Sequence, residues 1–463
     1  MNVVISVIAH HPTGAHSLRY THAATVMPAS LPEQQSSRAG EHVEASPRWN
    51  VVTRTAFRFG FIYWLLYSMP VPGIYQYRFV DRDGLATLWH SVVPWFASRF
   101  LHHNLTVVGF QGAGDSLYNY DRAFLFVLLA AAGTAVWSLA ARRTYSHPKL
   151  HAWLRLFLRL GLGAAMFDYG VAKLLPGQYA ATPSTAELLR TYGDSSPMGL
   201  LWTFMAAGRP YAFFAGLIEA VGGILLFVPR LATLGALISA ASLTNVFMLN
   251  MSYDVPVKLY TLHLLFKSLF ILAPDTPRLA AVLALNRRVE PANRTPLFGR
   301  QLLNRAMLAF QVLFGVWIVV GSYTAHLVDV DYRASAKDTP FRGVWFVDEF
   351  VVDGQNRLPL VTDQSCWARV VFDLPDRTAI QLSNGGLRRF VTRRDSGRDT
   401  VQLRDIDDPK STATFSLSTA EHGVLMMDGV LSDHKIHARM HLDDKTFLLL
   451  TRGLNWVNRG FNR

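Results

Sequence analysis

The sequence predicts a multi-domain membrane protein: a polytopic α-helical bundle of about seven spans, then an all-β, antiparallel, barrel-like domain. Three observations carry this reading. Apolar runs of about 18–22 residues recur from residue 51 to residue 323, close to the ~20 that a helix needs to cross the hydrocarbon core. Beyond residue 340 the apolar residues instead alternate with polar ones in short runs. Charge divides near the same boundary. Residues 1–324 hold 26 Lys/Arg against 14 Asp/Glu, whereas residues 325–463 hold 19 of each, so the whole net charge of +12 belongs to the first part.

Composition excludes several classes. Of 463 residues, 50% are hydrophobic and 17% charged, against about 25% charged in an ordinary soluble domain. Such a chain is too apolar for disorder over most of its length. Cys366 is the single cysteine, so an internal disulfide scaffold is excluded. The basic residues punctuate apolar runs and do not gather in one patch, which fits membrane flanks and argues against nucleic acid as a partner.

Residues 1–47 begin with MNVVISVIA and turn polar. That run lacks a basic leader and is short for a secretory core, which favours a disordered cytoplasmic tail over a signal peptide. The helical domain covers 48–324, with spans expected at about 52–70, 122–141, 153–174, 210–229, 231–250, 256–273 and 303–323. The pieces 85–101 and 197–208 are short and broken or led by proline, and read as interfacial or re-entrant helices. Basic residues flank alternate ends: Arg48 and Arg54, then Arg142, Arg143 and Lys149, then Arg230, then Arg278, Arg287, Arg288, Arg294, Arg300 and Arg305. The positive-inside rule then puts the N-terminus in the cytoplasm and the β domain, residues 325–463, outside the bacterial inner membrane.

Nine runs in that domain, from GVWFVDEFVV at 343 to TFLLLTR at 446, are separated by turn compositions such as DGQN, SNGG and DDPK. They form either a closed barrel or a stacked sandwich; tight turns and the need to leave no open edge favour the barrel.

Polar groups inside the apolar spans are the candidate site. Glu219 lies about nine residues, roughly 14 Å, from either end of its span. A carboxylate there is a buried hydrogen-bonded strut or a proton-handling or ligand group. Asp168, Lys173, Asn250, Asp254, Lys258 and His263 fall towards the same side of the membrane, and with Glu219 they are expected to share one cavity. The plainer reading pairs Asp254 with Lys258 at the surface, four residues apart. Gly216, Gly222 and Gly223 mark a close helix contact. No metal motif is evident: His434, His437 and His441 share a strand, but the first faces away from the other two. No phosphate loop, nucleophile elbow or dinucleotide fingerprint is present.

The stretch LIEAVGGILLFVPRLATLGALI (217–238), with Glu219, Gly222, Gly223 and Arg230, resembles the core of the DoxX membrane family. So does LGAAMFDYGVAKLLPG (162–177), with Gly170, Lys173 and Leu174, and the run from Asn245 to Asp275 is similar to later helices of a larger related subfamily. The resemblance spans about residues 150–290 and implies a quinone- or redox-associated membrane component. No cofactor motif is evident, so a quinone is the cofactor it admits, with the bilayer and a redox or envelope protein as partners. Gly343-Val344-Trp345 resembles the G-x-W that opens lipocalin-like barrels, which implies Trp345 packed under Arg452 from a last strand. The competing reading is a non-enzymatic envelope protein whose β domain binds lipid or a protein.

Overall fold

The computed structural model describes residues 48–69, 84–105, 114–179, 183–292, 295–339, 341–395, 399–420, 423–453 and 456–457. The expected tail at 1–47 and Arg294 lie outside them. Helices occupy every predicted span: α1 (Val51–Ser68), α2 (Gly84–Phe96), α3 (Leu117–Ala140), α4 (Pro148–Leu174), a short α5 (Thr185–Leu188), α6 (Pro197–Ala207), α7 (Arg209–Phe227), α8 (Ala232–Ser252), α9 (Lys258–Leu272), α10 (Thr276–Leu283) and α11 (Gln301–Ala334). Among the described residues five of these, α3, α4, α7, α8 and α11, are long and apolar enough to cross a membrane. The other two expected spans fall short of that set. α1 carries Arg54 and Arg58, and α9 has only 15 residues, about 22 Å of rise.

α4 is the hub of the bundle, and its contact with α7 is set by glycine. A Cβ on Gly170 would lie 2.5 Å from the Ala220 nitrogen, and one on Gly223 would lie 2.7 Å from the Phe167 nitrogen. Gly216 is equally tight, 2.7 Å from the Gly170 oxygen. Backbones this close leave no room for side chains, and dispersion between them replaces what lipid would offer. Gly222 faces α8 instead, with Ser239 Oγ 3.1 Å from its Cβ position. The basic ends are tied together on the side away from the β domain. Asp275 takes Arg155 at 2.7 Å, Arg278 at 3.1 Å and the Thr233 hydroxyl at 2.7 Å. Buried Arg58 donates to Ser138 Oγ and the Ala141 carbonyl, both at 3.0 Å.

The C-terminal domain is a closed eight-stranded antiparallel barrel with one short extra strand. The strands are β1 (Gly343–Val352), β2 (Gln355–Asn356), β3 (Trp367–Leu374), β4 (Arg377–Leu382), β5 (Leu387–Asp395), β6 (Thr400–Asp405), β7 (Thr412–Ala420), β8 (Val424–Leu431) and β9 (His434–Leu442). Each pairs with the next except β2, which only folds back on β1, and β9 returns to pair with β1. The β1–β2 hairpin turns on Asp353-Gly354 with φ of 52° and 81°, the paired positive values of a type I′ turn. Alternation, as in β7, where Ala413, Phe415 and Leu417 are buried between exposed Thr412, Thr414, Ser416 and Ser418, sends every second side chain inward. Trp345, Phe350, Trp367, Phe390, Phe415 and Met440 fill the axis, each less than 9% exposed. Cys366 is buried in the same core.

The ninth predicted run is a correction. TFLLLTR is not a strand: Leu448–Thr451 form a four-residue helix, α12, and β9 ends at Leu442. Three consecutive leucines cannot alternate faces, so the run has no strand period. Arg452 is therefore exposed beyond α12, off the sheet, and the indole N–H of Trp345 donates to the Phe341 carbonyl at 2.7 Å. The barrel rests on the connection between α4 and α6. Ala186 and Leu189 pack on Val344, Val371 and Ala379; Gln381 Nε2 donates to the Leu189 carbonyl at 2.7 Å, and Asp373 accepts from the Thr185 N–H at 2.8 Å.

Candidate functional site

Helices α4, α6, α7, α8 and α9 enclose a cavity of about 470 Å³ at the barrel side of the bundle. Its wall is mainly apolar and aromatic, from residues such as Met166, Trp202, Met205, Phe214, Leu249 and Leu264. Set into that wall is an ion pair: Lys173 Nζ lies 2.6 Å from Glu219 Oε2, with side chains 7% and 4% exposed. The pair exists because α4 and α7 meet glycine to glycine, with Gly170 and Gly216 each within a turn of one partner. Neither charge could remain buried alone in such surroundings. Lys173 also sits 5.6 Å from the Tyr169 ring centre. Arg209, at the start of α7, donates to the Lys173 and Leu174 carbonyls at 3.2 and 2.8 Å and so satisfies the end of α4.

Asn250 lines the same cavity, and its amide donates to Thr261 Oγ1 at 2.9 Å, joining α8 to α9. Two further amides face the space. Asn245 has no hydrogen-bond partner among the described residues, and the buried Gln178 Oε1 has none either. An apolar chamber with an ammonium, a carboxylate and two unpaired amides suits an uncharged molecule with an apolar body and a head of carbonyl or hydroxyl oxygens.

The structure brings Lys173, Glu219 and Asn250 together and places the other four expected residues elsewhere. Asp168 is on the opposite face of α4, where it accepts from the Ser322 hydroxyl and lies 3.2 Å from His326 Nε2, both on α11. Asp254 and Lys258 pair at 2.7 Å on the surface, with Asp254 82% exposed. The Lys258 backbone N–H is held at 2.8 Å by Asp115, which precedes α3. His263 points towards α1. Its Nδ1 donates to the Leu259 carbonyl at 2.7 Å, leaving Nε2 to accept the Tyr63 hydroxyl at 2.5 Å, and its ring stacks on Tyr67 at 3.8 Å. The reason is angular. Residues five apart, such as Asp168 and Lys173 on α4 or Lys258 and His263 on α9, leave by different faces, so shared depth does not mean shared space.

Sequence reasoning missed Tyr169, Tyr179 and Gln178, which carry no pattern of their own. It also read α6 as an interfacial or re-entrant helix and named none of its residues in the site, whereas Leu201, Trp202 and Met205 roof the cavity. No group of His, Cys, Asp and Glu able to hold a metal ion occurs among the described residues.

No family profile matches the chain, and no solved structure does. It is similar to the uncharacterised protein YwoB of Bacillus subtilis, 27% identical over 147 residues, which is 32% of this chain and 87% of that protein.

Proposed function

We propose that this chain is a quinone-associated component of a bacterial inner membrane, with a DoxX-like core and the barrel on the far side from the cytoplasm. One observation carries the reading: the buried Lys173–Glu219 pair on the wall of an otherwise apolar cavity. Lys173 Nζ donates to Glu219 and to the Tyr169 carbonyl and keeps one N–H to offer a carbonyl oxygen, and Glu219 can accept a hydroxyl proton, so both ends of a quinone–quinol interconversion find a partner. The chain has no redox centre of its own among its motifs, so electrons would come from a partner protein. The orientation rests on Arg142, Arg143, Arg230, Arg287 and Arg288, all at helix ends or loops away from the barrel.

Extraction of the purified protein with organic solvent, followed by chromatography and ultraviolet detection, tests this directly. The expected result is quinone in stoichiometric amount from the wild type and little from Glu219→Leu. A wild type purified in mild detergent that carries phospholipid but no quinone, and binds none on addition, would overturn it.

The second reading, a non-enzymatic envelope protein that binds lipid or protein through its lipocalin-like domain, has one observation in its favour. Leu448, Leu449 and Leu450 are 64%, 54% and 40% exposed, and Trp456 is 98% exposed. The packed barrel axis leaves that surface, not the interior, to do the binding.

A further inference from the structure

The cavity has two sides on which a ligand could arrive, and they differ in what covers them. At the barrel end lie α6, with Leu201, Trp202 and Met205, and Tyr179 from the segment after α4. That connection is held against the barrel by Gln381 and Asp373, so protein lies over this end of the cavity. The other side lies between α7 and α8. These helices touch closely near their shared loop, where a Cβ on Gly235 would be 2.9 Å from the Leu226 nitrogen. Towards the barrel, α7 from Tyr211 to Glu219 and α8 from Ala241 to Asn250 line opposite walls of the cavity. Tyr211 and Phe214 are 42% and 56% exposed on the outside of the bundle, and Ala241 and Asn245 are exposed too. Lys173 and Glu219, at the back, are 5% and 3% exposed. One space is therefore continuous from the lipid-facing surface to a buried ion pair.

Asn245 makes the second, independent observation. An amide on the outer face of a membrane helix costs free energy unless it has a partner, and Asn245 has none among the described residues. Its place on the rim gives it a use that a lipid-facing position alone would not.

We propose that the cavity is loaded sideways, from the barrel-side leaflet through the slit between α7 and α8, by a quinone with an isoprenoid tail. The head passes Asn245 and reaches Lys173 and Glu219, while the tail stays between Phe214 and Val246 and runs out into lipid. The identity of the head rests on the quinone reading above; the route does not.

The test uses the full chain in membrane vesicles, carrying Cys366→Ala to remove the one native thiol, with Asn245→Cys as reporter. A second reporter, Met248→Cys, lies on α8 at a position 56% exposed and outside the cavity lining. Each is treated with a lipid-soluble pyrenyl maleimide and with a sulfonated maleimide that stays in water. The pyrenyl reagent is expected to label both positions and the sulfonated reagent neither. Decylubiquinone at about ten times its Kd is expected to slow labelling at Asn245→Cys about tenfold, because only the empty fraction reacts, and to leave Met248→Cys unchanged. Labelling of Asn245→Cys by the sulfonated reagent would overturn the route. So would labelling by neither reagent while Met248→Cys reacts. Lipid-side labelling without quinone protection supports the route and removes the quinone. Should Asn245→Cys fail to fold, Ala241→Cys on the same rim gives the same readout.

Discussion

Removing one partner of the Lys173–Glu219 pair is expected to cost far more than removing both. Their atoms are 2.6 Å apart and their side chains 7% and 4% exposed, so water screens little of the interaction. Replacing Glu219 with Leu strands an ammonium in an apolar wall. The expected loss is ~3–5 kcal/mol, the usual consequence of breaking a buried pair. The double variant Lys173→Met, Glu219→Leu removes both charges with little change in volume, and its stability is expected to return to within ~1–2 kcal/mol of wild type. Glu219→Gln should fall between, since an amide oxygen can still accept from the ammonium. Thermal unfolding in detergent, followed by fluorescence-detected size exclusion, measures all four proteins. If Glu219→Leu alone unfolds within the error of wild type, the Lys173 ammonium is not held in an apolar wall and the pair is not a buried one. If the double variant is as unstable as the single, the cost lies in packing and not in charge.

Four other outcomes follow from the geometry. Gly170→Val would push a side chain into the Ala220 backbone, where an added Cβ already lies 2.5 Å from nitrogen, and should cost ~1–3 kcal/mol or more in the same assay. Residues 341–463 expressed alone should give a soluble, β-rich circular-dichroism spectrum, and Trp345→Ala should lower the domain's stability by ~3–5 kcal/mol in urea titration. Burial would by itself raise the Asp405 carboxyl, but donation from Arg388 and from the Asp407 and Asp408 N–H groups holds it below its ordinary value of 3.8. A depressed carboxyl stabilises the fold above that value and loses the contribution as pH falls through its folded pKa. Asp405→Asn should thus cost ~1.5–3 kcal/mol at pH 7, and its urea midpoint should converge with that of wild type in strong acid. Reporter fusions at Asn286 and at the C-terminus should fall in opposite compartments; the same compartment for both would refute the orientation.

Elements whose signal is local were legible in the sequence. Eight of the nine expected strands are present, and WARVVFDL and RTAIQL match β3 and β4 to the residue, because alternation and turn composition are written within ten residues of each other. TFLLLTR failed because hydrophobicity alone was taken for a strand. The site was legible only as a list of polar residues at similar depth. What joins Lys173 to Glu219 is a contact between helices 46 residues apart in sequence, and its only trace in the text is a set of glycines. Spacing along one helix says which face a residue takes but not which neighbour occupies it, so Asp168 and His263 were credited to a cavity they turn away from.

The β1–β9 seam has a consequence for how the molecule is made. Phe346 pairs with His441 and Val351 with His437, so the strand that emerges first is zipped to the one that emerges last. α11 is complete before any of this is synthesised, and a nascent barrel would hang from it as an open sheet with β1 exposed along one edge. Such an edge pairs readily with any other extended chain nearby. Long-range closure is also intrinsically slow. The interval between release of α11 and arrival of β9 is therefore when this protein is most exposed to misassembly, and truncations that end before His434 should aggregate even though all the earlier hairpins are intact.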